Sequence, residues 1–165
     1  MNGVSAMELA REAVEKELSV LRELLEVDVA AVSWKRARDR QWEWWAASGC
    51  RDERFRSLSI RIGRGIEGAV PRIGRSLIID KEHPNGGKQR EESALMHVEQ
   101  LVSAIACPIL VKDVPEGVLL AGVREERSFS KEQLQRTQLA AAMLGQWAEE
   151  AESEAENAVV RAPDN

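Results

Sequence analysis

The sequence predicts an α+β domain with a central antiparallel sheet of about six strands. A long helix from each end of the chain covers one face. Short helices and loops cover the other, with room there for a ligand pocket. Three observations predict this. Apolar residues recur at helical spacing in two long segments, one near each terminus. Between them lie runs of strand length, either rich in Val and Trp or alternating apolar with polar. The chain has 165 residues, 44% hydrophobic and 31% charged, which suits one soluble domain and is too short for two ordinary ones.

The elements follow in order. Ser5 and Glu8 stand at capping-box spacing, where each side chain satisfies a free backbone donor. Val14, Leu18, Leu21 and Leu25 follow, so a helix is expected from about Ser5 to Glu26. Val27 to Trp34 and Gln41 to Ser48 read as strands, with Arg38-Asp39-Arg40 as the turn of a hairpin. Leu58, Ile60 and Ile62 alternate with Ser59 and Arg61, which predicts a third strand. Gly63-Arg64-Gly65 breaks the pattern, and Ile66 to Ile73 reads as a short helix, bent or ended at Pro71. Ser76 to Asp80 is another strand. His83 to Lys88 holds Pro84, Asn85, Gly86 and Gly87 and reads as a loop. Glu91 to Leu101 predicts a short helix. Ser103 to Val111 and Gly117 to Arg124 predict two strands joined at Asp113 to Glu116. Ser130 with Gln133 is a second capping box, opening a long helix that carries Leu134, Ala141, Leu144 and Ala148. One domain is expected over 1–156 and a disordered tail over 157–165.

Charge and composition exclude several classes. Lys and Arg number 23 against 28 Asp and Glu, a net charge of −5, which leaves no basic surplus for coating nucleic acid. The longest apolar run, Leu101 to Val111, falls short of the roughly 20 residues that span a membrane. Met1 to Leu9 lacks the layout of a signal peptide, so a cytoplasmic protein is expected. Two cysteines, Cys50 and Cys107, fit a reducing compartment. From Lys35 to Arg75 there are eleven Lys or Arg against five Asp or Glu, while Glu149 to Glu156 carries five Glu and no base. Two solvated faces explain this; an anion-attracting middle and an acidic partner-facing end are the sharper alternative.

The motifs, in this order, resemble a GAF domain. Ile62-Gly63-Arg64-Gly65-Ile66-Glu67-Gly68-Ala69-Val70 and Gly74-Arg75-Ser76-Leu77-Ile78-Ile79-Asp80 look like that family's glycine-rich helix start and the strand after it. Ala106-Cys107-Pro108-Ile109, Glu116-Gly117-Val118-Leu119-Leu120 and Phe129-Ser130 with Leu134 resemble the later strands and the start of the last helix. The resemblance covers roughly Glu15 to Glu150 and implies a GAF-like (PAS-related) fold. Trp44 to Phe55 further resembles the stand-alone GAF proteins of the NreA type, with Cys50 where Asn is usual. Those are cytoplasmic nitrate receptors that control a sensor histidine kinase.

The helix opening at Gly65, Ile66, Glu67 and Gly68 has first-turn N–H groups without partners and a positive dipole end. Glycine there lets a ligand approach the backbone, and a small anion such as nitrate can rest on those N–H groups. Ile66, Ala69 and Val70 would form a dry wall, and Leu95 and Met96 its far side. In a strand Trp42 and Trp44 face one way and Trp45 the other; Trp45 is expected to face the pocket. A tight glycine turn and ordinary core packing explain the same residues without a ligand. His83 and His97 are left outside the site.

The reading is thus a ligand-binding sensor and not an enzyme, with no cofactor and no metal. It expects a nitrate-like ligand, a sensor histidine kinase in a two-component system as partner, and a homodimer through the terminal helices. A ligandless interaction module is the alternative. A free methionine-(R)-sulfoxide reductase is less favoured, because no Cys lies between His83 and Met96 and Cys107 falls in a buried strand. The motifs of cyclic-nucleotide and bilin sites are absent, and the Cys and His residues lack metal-ligand spacing.

Overall fold

A computed structural model describes residues 6–83 and 86–161. In chain order the elements are α1 (Ala6–Leu25), β1 (Val29–Lys35), β2 (Trp42–Ser48), a 3-10 turn (Glu53–Ser57), α2 (Gly65–Ile73) and β3 (Leu77–Ile79). Then come α3 (Gly87–Glu91), α4 (Ala94–Val98), β4 (Ser103–Val111), β5 (Val114–Val123) and α5 (Lys131–Arg161). The strands form one antiparallel sheet in the order β2-β1-β5-β4-β3.

The sheet has five strands, not about six. Leu58 to Ile62 contributes only an isolated bridge between Ser59 and Glu43. The alternation holds from Leu58, half-buried, through exposed Ser59 to buried Ile60, and breaks at Ile62, which is exposed. That alternation anchors a segment leaving a 3-10 turn and adds no ladder to the edge strand. Helical backbone also starts earlier than expected in the region after Gly86. Gly87 to Lys88 belong to α3, and the expected helix from Glu91 is broken at Glu92 and Ser93. The turn residues Pro84 and Asn85, and the Ser5 cap, lie outside the described residues. The chain stays helical from Asn157 to Arg161, where a disordered tail was expected; residues 162–165 lie outside the description.

The two-residue period of the strands gives the sheet two dry faces. On one, Val14, Leu18, Leu21 and Leu25 of α1 pack with Val32, Ile105 and Leu119 under α5. On the other, Val29, Ala31 and Leu120 pack against Ile66 and Val70 of α2 and Leu95 and Met96 of α4. The Ser130 capping box forms in both directions: Gln133 N–H donates to Ser130 Oγ (3.0 Å), and Ser130 N–H donates to Gln133 Oε1 (2.8 Å). The amide of Gln133 also donates to the Leu25 carbonyl at 2.9 Å. The end of α1 therefore meets the start of α5, and the two helices run antiparallel, side by side.

Asp80 fastens the start of α5 to the sheet. Its carboxylate accepts N–H bonds from Phe129 and Glu82, each at 2.9 Å, and lies 2.7 Å from His83 Nδ1. Burial opposes its charge, but the Phe129 N–H, His83 and the Glu82 N–H outweigh this and hold its pKa below the ordinary value. A carboxylate with a depressed pKa stabilises the fold above the unfolded value of about 4, and that support is lost as pH falls through the folded value. Asp80→Ala is expected to destabilise the chain by about 1–3 kcal/mol in urea unfolding at pH 7, because the half-buried Phe129 N–H and the Glu82 N–H lose their acceptor. The gap between variant and parent should narrow below about pH 4.

Candidate functional site

The layer between α2, α4 and the sheet is the candidate site. α2 begins without a conventional cap, since extended Arg64 makes no side-chain capping bond. Gly65 adopts φ 68°, a left-handed conformation that favours glycine. A side chain on it would press on Glu92 and Ser93, so the start of α2 lies tight against the α3–α4 junction.

The positive end of α2 is met by the chain itself. Glu67 folds back over the first turn and is only 2% exposed. The Ser93 hydroxyl donates to its Oε2 at 3.1 Å. The same hydroxyl accepts the Met96 N–H at 3.1 Å and caps α4. The N–H groups of Glu67 and Leu95 also favour the charged carboxylate, yet burial prevails and raises its pKa. Oε1 has no hydrogen-bond partner of good geometry. The chain's own carboxylate thus lies at the start of α2, near the N–H groups of Glu67 and Leu95, where an open anion seat was expected.

Ile66, Val70, Leu95 and Met96 pack in the core of this layer, with Gly65 and Gly68 buried in α2 and Ala69 half-buried. Gly68 lies close against the chain itself. A methyl group there would fall on the Arg61 carbonyl, while the Gly68 carbonyl accepts the Gly63 N–H at 2.9 Å.

Trp45 lies on the opposite face from the one expected. It packs in the core under the terminal helices and stacks on Trp147 of α5, ring centroids 6.1 Å apart. Trp44 is the indole of the α2–α4 layer, with Trp42 packed beside it. The alternation of the three tryptophans is as read; the assignment of faces is reversed. Local pattern fixes only that neighbours point apart, and the helices that cover each face fix the rest.

Three contributors were missed: Trp44, Ser33 and Ser93. Trp44 Nε1 and Ser33 Oγ are buried without partners. The two residues face each other across β1 and β2 at a register shift in the ladder. A serine in the apolar run from Val29 to Trp34 was the signal for the second. With Glu67 Oε1, this layer holds two free donors and one free acceptor.

The thiols do not supply a nucleophile here. Burial, then the nearby Glu99 carboxylate, push Cys50 up to about 12, and burial pushes Cys107 up to about 11. Among the described residues no group of three or more His, Cys, Asp or Glu is placed to hold a metal, and no helix is long and apolar enough to cross a membrane.

The GAF domain family model matches residues 10–146. No curated protein matches. Among solved structures, the chain is similar to Staphylococcus aureus NreA mutated in its nitrate binding site. That likeness is 25% identical, covers 74% of this chain and 91% of that one, and has a TM-score of 0.65. It is also similar in fold to the GAF domain of an Acinetobacter phosphoenolpyruvate-protein phosphotransferase, at 16% identity, 92% and 87% coverage and TM-score 0.71. A type II free methionine-R-sulfoxide reductase from Thermoplasma acidophilum gives 16%, 86%, 93% and 0.68 in the same terms.

Three outcomes are expected. Gly68→Ala should destabilise the fold by about 2–4 kcal/mol in chemical unfolding. Gly87→Ala, with nothing within 4 Å of the added group, should change it by less than about 1 kcal/mol. Both thiols should react with an aromatic disulfide reagent at pH 8 more slowly than free cysteine, reaching its rate only after denaturation.

Proposed function

Because the chain belongs to the GAF domain family, we propose that it is a sensor of nitrate or a similar small planar anion, and that it modulates a sensor histidine kinase by direct contact in the cytoplasm. The likeness to NreA supports the ligand class. The observation that carries the reading is the buried Glu67 carboxylate. A planar, oxygen-rich anion already sits at the amides that open α2 and α4, so the seat has the polarity the ligand needs. A second negative charge beside an ionised Glu67 would be strongly unfavourable in a dry layer. The anion is therefore taken up with Glu67 protonated or swung aside, and the free Trp44 N–H and Ser33 hydroxyl serve as further donors.

The output belongs to the terminal helices on the other face of the sheet, through which the chain forms a homodimer. The ligand acts only to the extent that it binds one helix arrangement better than another.

Glu67 also favours a second reading, a ligandless interaction module, since its side chain completes the site without help. Nitrate titration followed by Trp emission separates the two. For a sensor that takes up one proton per anion, affinity should rise about tenfold for each unit of pH fall above the pKa of Glu67. Glu67→Gln should bind more tightly than the parent at pH 7.5 and lose most of that dependence. If neither protein binds nitrate between pH 5 and pH 8, the module reading stands.

A further inference from the structure

Ten large apolar side chains stay exposed among the described residues, and six of them share one face across α1 and α5. They are Leu9, Val20 and Leu24 on α1, and Leu139, Met143 and Trp147 on α5; Leu139 and Met143 are each 62% exposed. A groove of about 590 Å3 runs between the helices, floored by Leu18, Leu21, Ala140 and Leu144. A dry face of this extent marks an interaction surface.

Two charged side chains line the groove, Glu17 on α1 and Arg136 on α5. Their levels follow from the contact between Gln133 and the Leu25 carbonyl, because the helices run antiparallel from that point. Equal steps along each helix bring Arg136 level with Arg22 and Glu17 level with Ala141. Val20 and Leu139 lie midway.

We propose that a second copy of this chain covers this face in an antiparallel arrangement, with a two-fold axis crossing the helices at Val20 and Leu139 and Glu17 of each copy meeting the partner subunit's Arg136. This specifies the homodimer named under the proposed function and rests on that part of it. Charge complementarity selects the occupant and its direction. The same axis sets Met143 against the partner subunit's Leu24, apolar on apolar. Arg136 holds Glu132 of its own helix at 2.9 Å and keeps further donors free, and Glu17 makes no ion pair among the described residues. An axis along the helices would set like charges level with each other. It would also place the two Glu149 to Glu156 segments, five Glu each and no base, side by side. The antiparallel copy sends those segments to opposite ends of a four-helix bundle.

Sedimentation equilibrium on the full chain, with circular dichroism to confirm folding, tests the arrangement. The parent should be a dimer, and Leu139→Glu with Met143→Glu should be a folded monomer. Glu17→Arg alone and Arg136→Glu alone should each raise the dimer dissociation constant about tenfold, since each creates two like-charge contacts. The two charge changes together should restore it. A parent that is monomeric to millimolar concentration overturns the pairing itself. A dimer indifferent to both single charge changes overturns the antiparallel register and leaves the pairing standing. Neither result bears on nitrate binding.

Discussion

The molecule turns on an uncapped helix start buried in a dry layer. The opening amides of α2 need a negative partner, because Arg64 offers no capping oxygen and water is excluded. Glu67 fills that need from within the same turn. Its carboxylate also ties α2 to Ser93 and the start of α4, and so fixes the short helices over the sheet. Burial makes this costly for the charged form and raises the pKa of Glu67. The electrostatics that stabilise the layer are the electrostatics any entering anion must meet.

Elements written in local pattern were legible in the sequence. The heptad-like leucines of α1, the hairpin at Arg38-Asp39-Arg40 and the capping box at Ser130 and Gln133 all follow from short-range rules, and the structure contains each of them. The misreadings needed long-range information. Alternation reports burial only from Leu58 to Ile60, and membership of a sheet also requires a neighbour to pair with. Trp44 and Trp45 point apart as expected, but nothing local tells which face meets α1 and α5. Glu67 was expected in the ligand site, as part of the helix opening whose amides face an anion. That its own side chain returns to the amides depends on Ser93, which the fold brings in from a distant part of the chain.

The fold by itself leaves function open. The same architecture accommodates an NreA protein, a domain of a phosphotransferase and a methionine sulfoxide reductase. The chemistry open to this chain lies in the inventory of its two buried layers. One holds a carboxyl group, an indole N–H and a hydroxyl with unused hydrogen-bonding capacity. Its thiols are kept protonated by burial, Cys107 beneath the terminal helices and Cys50 beside the α2–α4 layer.

Trp45 on β2 and Trp147 on α5 overlap with an interplanar angle of 25°, and Trp34 meets Trp45 edge-on at 6.4 Å. Three rings so close have coupled excited states, and one of them rides on the last helix. The near-ultraviolet dichroism of the chain therefore carries an intrinsic optical record of how α5 is seated on the sheet. Any sliding of that helix becomes readable without a label.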